Sequence, residues 1–174
     1  YKMAYVITSA CASSAHAIGA AAKEIQAGRA TTMITGGTES VITKLAFAGF
    51  ASMKALSKNN DDPAKASRPF DTARDGFIMG EGSGILILEE WEHAKARGAK
   101  ILAEYMGDGL SSDAHHISAP IADGSGAIAA MTMALQDANL RPSDIDYINA
   151  HGTPTPQNDA MESLAITEVF GQNT

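Results

Sequence analysis

The spacing of apolar and polar residues changes character repeatedly along this chain, and each change predicts a new element. Tyr5-Val6-Ile7-Thr8 is a short β-rich run. It gives way to Ala15, Ala17, Ile18, Ala20, Ala21, Ala22 and Ile25, with Lys23, Glu24 and Gln26 among them, which predict a tightly packing helix. Ala27-Gly28-Arg29 stops it, and Thr31-Thr32-Met33-Ile34-Thr35 predicts a strand closed by Gly36-Gly37. Ser40 to Leu56 has a helical flavour broken at Gly49, and Ser57 to Pro63 is a polar loop. Ile85 to Leu88 predicts a strand; Glu89 to Gly98, acids first and bases last as the helix dipole favours, predicts a short helix. Ile101 to Met106 and Asp146 to Ala150 predict two more strands. Between them lie a loop from Gly107 and a helix from Gly126 to Asn139, whose Met131 and Met133 read as core filler. A last helix runs from Asn158 or Asp159 to Phe170, with Met161, Leu164, Ala165 and Val169 at helical spacing and an acidic first turn. The fold class is therefore α/β.

Two residues with chemistry to offer stand just after predicted strands. Cys11, the sole cysteine, falls on a strand-to-helix turn. A thiol reacts as its thiolate, which the positive end of a helix favours, and the same free amides can receive a developing oxyanion. The competing reading is a buried structural cysteine. His151, in His151-Gly152-Thr153-Pro154-Thr155-Pro156, is either a turn residue bonded to backbone or a partner of Cys11. Open α/β architectures gather ligands beyond the carboxyl ends of strands, so residues distant in sequence can share a site. A cysteine with a distant histidine is one arrangement for nucleophilic catalysis.

Composition narrows the alternatives. With 174 residues, 45% hydrophobic and 19% charged, the chain has the size and balance of one ordinary globular domain. A net charge of −7 argues against nucleic acid as a partner. One cysteine cannot form an intramolecular disulfide, which fits a reducing, cytoplasmic setting. No apolar run is long enough for a membrane span, and no signal peptide precedes the first strand. The chain opens on Tyr1 rather than methionine, so it reads as a piece of something longer. The glycines from Gly76 to Gly84 precede a strand instead of following one, which argues against a phosphate loop and leaves close backbone approach or a tight turn as their use. His115 and His116 are adjacent, so their side chains diverge, and no familiar ligand spacing surrounds them; no metal is expected.

Several blocks in order carry a more specific resemblance. They are Thr8-Ser9-Ala10-Cys11-Ala12-Ser13-Ser14, Gly36-Gly37-Thr38-Glu39, Gly49-Phe50 with Lys54-Ala55-Leu56-Ser57, and Ser67-Arg68-Pro69-Phe70-Asp71. Arg74-Asp75-Gly76-Phe77 through Gly84, Asp113-Ala114-His115-His116 and Asn149-Ala150-His151-Gly152-Thr153 complete the set. Across essentially its whole length the chain resembles the β-ketoacyl-acyl carrier protein synthases, the type II condensing enzymes of fatty acid synthesis. The resemblance implies a thiolase-like fold, here incomplete: residues 1–100 match the end of the N-terminal half and 101–174 the start of the C-terminal half. It implies decarboxylative Claisen condensation, in which an acyl group on the cysteine joins malonyl-acyl carrier protein to give 3-oxoacyl-acyl carrier protein and carbon dioxide.

Roles follow residue by residue from that resemblance. Cys11 matches the nucleophile, and His151 the first catalytic histidine, which helps bind the malonyl thioester carbonyl. Glu162 matches a carboxylate near the catalytic histidines, Phe50 an acyl-pocket aromatic, and Thr153 and Thr155 the hydroxyls that hold the pantetheine arm. Lys54 matches part of a basic surface for the acidic carrier protein; Lys58, Lys65, Arg68 and Arg74 either join it or are a solvated charge run. No metal or organic cofactor is implied, since phosphopantetheine arrives on the carrier, and a homodimer is. Pro154 departs from the serine usual between the threonines, removing a backbone donor. The family's lysine, second catalytic histidine and gatekeeping phenylalanine lie beyond Thr174, so these residues alone are expected to be inactive. Two alternatives remain: a ketosynthase domain of a polyketide synthase, or a non-catalytic relative that serves as a binding subunit, against which the presence of Cys11 argues.

Overall fold

The computed structural model describes residues 3–172. They form two compact units, one holding the residues up to Ser40 together with Glu81–Met106, the other Val41–Gly80 together with residues 107–172.

In the first unit, α1 (Ser13–Gln26) packs on β1 (Thr32–Glu39), which pairs antiparallel with β2 (Gly82–Glu89). The helix buries small residues, Gly19, Ala21 and Ala22, which let it lie close to the strand. Gly28, at φ 68°, ends it as expected, its amide bonding the Ile25 carbonyl. The register runs from Thr32 opposite Glu89 to Glu39 opposite Gly82. Both strands are longer than their apolar runs predict, because the glycines lie inside the ladder instead of closing it. Gly36 sits at φ 132°, and a Cβ there would collide with the Gly84 carbonyl across the pair. Helix α3 (Trp91–Ala96) then starts behind Glu90, whose carboxylate accepts from the amides of Glu92 and His93.

The second unit contains α2 (Lys44–Ser52), α4 (Ser125–Ala138) and α5 (Pro156–Phe170), with α4 packed on α5. Thr43 caps α2 by accepting from Ala46 N. Gly49 does not break this helix, which runs through it; one glycine costs a helix only about 1 kcal/mol. Gly76 shows the use foreseen for its glycine-rich stretch. At φ 137°, a Cβ there would come within 2.5–2.7 Å of the backbone of Ala55, Leu56 and Ser57, against which Phe77 pairs. Ala66, Met79, Leu135, Asp159 and Ala165 are buried.

Three predicted strands join no ladder among the described residues: the run from Tyr5, Ile101 to Met106, and Asp146 to Ala150. Some of their apolar side chains are open, with Val6 89%, Leu102 85% and Tyr147 78% exposed. A strand exists only where a neighbour accepts its backbone hydrogen bonds, and alternation along one segment says nothing about whether that neighbour is present. Helix α5 also starts earlier than expected, at Pro156, and Leu164 is 49% exposed although its spacing pointed inward. The buried face of α5 runs instead through Asn158, Asp159 and Ala165.

Candidate active site

Cys11 stands in the first unit, one residue before the Ala12 N-cap of α1. Successive turn bonds form there, from Ala12 N to the Ser9 carbonyl and from Ser13 N to the Ala10 carbonyl, each 3.1 Å. Between them Ala10 takes φ 48°, a left-handed conformation that costs an L-residue roughly 1–2 kcal/mol. The turn leaves Cys11 exposed with a free thiol in this chain. No side chain caps α1, and its first amide, Ser13 N, is taken by the Ala10 carbonyl.

His151, Glu162, Thr153 and Thr155 belong to the second unit, and α5 organises them. Glu162, on the second turn of α5, reaches back to the chain leading into the helix. Its Oε1 accepts from His151 N at 2.6 Å and its Oε2 from Gly152 N at 2.8 Å. Asn158, one turn earlier, donates its side-chain N–H to the same Oε2 at 3.2 Å. The carboxylate therefore grips the backbone that carries the imidazole, and the His151 side chain stands exposed. Thr155 is the N-cap of α5, its hydroxyl accepting from Asn158 N at 3.3 Å and lying 2.9 Å from the Thr153 hydroxyl. If Thr155 gives its one proton to Thr153, the Thr153 proton is left to point at a ligand. Pro154 is buried and has no amide to give, while its carbonyl accepts from Gly76 N at 3.0 Å.

A neighbouring loop is fastened to the same helix end. Asp159, 1% exposed, accepts from Phe70 N at 2.6 Å, and Arg74 Nε lies 3.4 Å from its carboxylate. Arg74 also donates to the carbonyls of Thr155, Pro156 and Asp71. That geometry corrects the reading of Arg74 as a surface cation: it is 17% exposed and spends its donors on the Asp159 carboxylate and on neighbouring carbonyls. Arg68 likewise pairs with Asp75 at 3.4 Å. Asp75 also accepts from the Ser57 hydroxyl and the Lys58 amide, and these bonds, the Ser57 one foremost, hold its carboxyl below its ordinary range.

Lys54 remains exposed, just beyond the end of α2, at φ 56°. Phe50 is half-buried and meets Phe77 edge to face, with ring centroids 5.1 Å apart. His116 serves as a turn acceptor for the amides of Ser118 and Ala119. Among the described residues no group of three or more His, Cys, Asp or Glu side chains is placed to hold a metal ion, and no helix is long and apolar enough to cross a membrane.

Residues 3–94 match the model of the β-ketoacyl synthase N-terminal domain and residues 102–174 that of the C-terminal domain. The chain belongs to the β-ketoacyl synthase family. It is 57% identical over 164 residues to 3-oxoacyl-[acyl-carrier-protein] synthase 2 of Synechocystis sp., covering 94% of this chain and 39% of that protein. The mitochondrial 3-oxoacyl-[acyl-carrier-protein] synthase of Arabidopsis thaliana is 55% identical over 170 residues, 97% of this chain and 37% of its own length. Among solved structures, a β-ketoacyl synthase from Burkholderia phymatum superposes with a TM-score of 0.90 at 48% identity, covering 94% of this chain and 40% of that one. A ketosynthase solved in complex with its type II PKS acyl-carrier protein gives the same TM-score at 43% identity, over 93% and 40% of the two chains. The thiolase-like α/β class expected from the resemblance is therefore the fold, and this β-ketoacyl synthase chain spans about two fifths of its relatives' length.

Reading the sequence missed three residues that build the site: Asp159, Asn158 and, as an internal anchor, Arg74. A signal was available for Asn158. Asn158, Glu162 and Ala165 share one helical face at i, i+4 and i+7, so a polar pair occupies what would be the start of a buried stripe. Polar side chains on the inner face of a helix must have partners: Glu162 takes the amides of the incoming chain, and Asn158 donates to the Glu162 and Asp159 carboxylates.

Proposed function

We propose that this chain is the central part of a fatty acid elongation enzyme that joins an acyl group to malonyl-acyl carrier protein. The Cys11 sulfur attacks the acyl thioester carbonyl and the carrier leaves as its thiol. Malonyl-acyl carrier protein then loses carbon dioxide, and the electron pair of the broken bond forms an enolate whose carbon attacks the Cys11 thioester. Carbon–carbon bond formation expels Cys11 as thiolate and yields 3-oxoacyl-acyl carrier protein. His151 donates a hydrogen bond to the malonyl thioester oxygen as negative charge grows there. Glu162 supports it through the His151 and Gly152 amides, Thr153 and Thr155 hold the pantetheine arm, and Phe50 borders the acyl chain. Lys54 meets the acidic carrier, where opposite charge speeds encounter.

The observation that carries this reading is an exposed thiol at the head of an uncapped helix, in a chain 57% identical to a 3-oxoacyl-[acyl-carrier-protein] synthase. The division near residue 100 into the ends of two halves is part of the proposal, as are a homodimeric assembly, a cytoplasmic location and a reaction without metal, organic cofactor, nucleic acid or membrane. A polyketide ketosynthase is the second reading, favoured by the structural likeness to a type II PKS ketosynthase. Its identity is 43%, below that of the fatty-acid relatives, and we rank it second for that reason. Mixing the chain with acyl-acyl carrier protein is expected to add the acyl mass to the peptide holding Cys11, and C11S to abolish the adduct. An unmodified Cys11 overturns the reading. Condensation itself is expected to be absent from the 174 residues alone, and efficient single-turnover condensation would refute that clause.

A further inference from the structure

Ser9 is tied to α1 at two points, and neither its hydroxyl nor His16 has a part in the reaction proposed above. Its amide donates to Ser13 Oγ at 2.8 Å, and Ser13 Oγ in turn donates to the Ala10 carbonyl at 2.7 Å. Its own hydroxyl lies 2.6 Å from Nδ1 of His16, one helical turn further along. Both Ser9 and His16 are half-buried. The residue before the strained Ala10 is thus held by backbone to one turn of the helix and by side chain to the next. Left-handed Ala10 is unfavourable for an L-residue and persists only where its surroundings over-determine it. The turn bonds from Ala12 N and Ser13 N bracket it, and the Ser9 bonds add to them.

We infer that Ser9 and His16 are positioning residues, a side-chain staple that keeps the Cys11 turn cocked over the start of α1. The pair acts on the sulfur through the Ala10 backbone. Cutting the staple lets Ala10 relax toward ordinary φ and moves Cys11 from the place the turn gives it. The inference rests on the proposed role of Cys11 for its meaning, yet can be read without acyl substrate.

The test is the second-order rate of Cys11 alkylation by iodoacetamide at fixed pH, with melting temperature recorded alongside. S9A and H16A are each expected to slow alkylation about two- to tenfold, the scale of one lost hydrogen bond. The S9A/H16A double variant should be no slower than either single one, because both cut the same bond. H16N, which offers a polar atom at the δ position, and S9T, which keeps the hydroxyl, should restore the rate. Wild-type rates in S9A and H16A overturn the inference. So do additive losses, or losses that follow melting temperature and are not restored by H16N or S9T. A chain whose Cys11 takes no acyl group, but whose alkylation shows the coupled loss and the rescue, overturns the condensing reading and upholds this one.

Discussion

Replacing Glu162 by alanine tests whether α5 holds the His151 turn by its backbone. The carboxylate accepts at 2.6 Å and 2.8 Å from two consecutive amides, and at 3.2 Å from Asn158. A hydrogen bond to a charged group contributes about 1.5–3 kcal/mol net. His151 is exposed and its amide can turn to water, whereas Gly152 is half-buried, so the loss should be nearer one such bond than two, about 2 kcal/mol. That is about a 30-fold rise in the opening that exposes the two amides. Hydrogen exchange followed by NMR reads it directly: the His151 and Gly152 amides should exchange roughly that much faster in E162A. Amides in α4, which Glu162 does not touch, should change little. E162Q keeps one good acceptor but turns an N–H₂ toward the other amide, so it should fall between wild type and E162A. Unchanged exchange at residues 151 and 152 in E162A would refute the clamp, whatever the effect on global stability.

Other outcomes follow from the same geometry. G36A forces a side chain into the Gly84 carbonyl at φ 132°, so it should remove several kcal/mol, on the scale of strain plus overpacking, and lower the urea midpoint sharply; a midpoint within error of wild type counts against the tight β1–β2 approach. Glu89 is held at about 2, well below 4.5, first by its bond to Arg97 and then by that to His93. A carboxylate so depressed adds stability that is complete above its unfolded value and is lost as pH falls from about 4.5 toward 2. The chain should therefore melt lower across that window, and R97Q should raise the Glu89 pKa in a carboxyl-carbon titration and flatten the trend. K54G relieves a left-handed lysine while removing its amine, so it should melt no lower than wild type yet bind acyl carrier protein up to about fivefold more weakly at low salt, as one exposed ion pair allows. Undiminished carrier binding in both K54G and K54E would remove Lys54 from the proposed surface.

The sequence by itself determined what depends on neighbours along the chain. Small residues at helical spacing made α1, Gly28 ended it, and the isolated cysteine was assigned to the turn where it stands exposed. The ordered blocks from Thr8 to Thr153 were enough to name the family, because each is a short stretch whose spacing is written in the chain. Only the tertiary structure decided which long-range partners those residues take. Arg74 and Lys54 look alike as sequence, but one lies against the carbonyls at the start of α5 and the other faces solvent. Gly36 reads as the close of a strand until β2 lies beside it and puts it inside the ladder. The runs at Ile101 and Asp146 have strand alternation without a ladder, since backbone pairing requires a second segment that local pattern cannot supply. Glu162 could be placed near His151 by resemblance; that it holds the main chain rather than the ring followed from the direction in which α5 leaves its Thr155 cap.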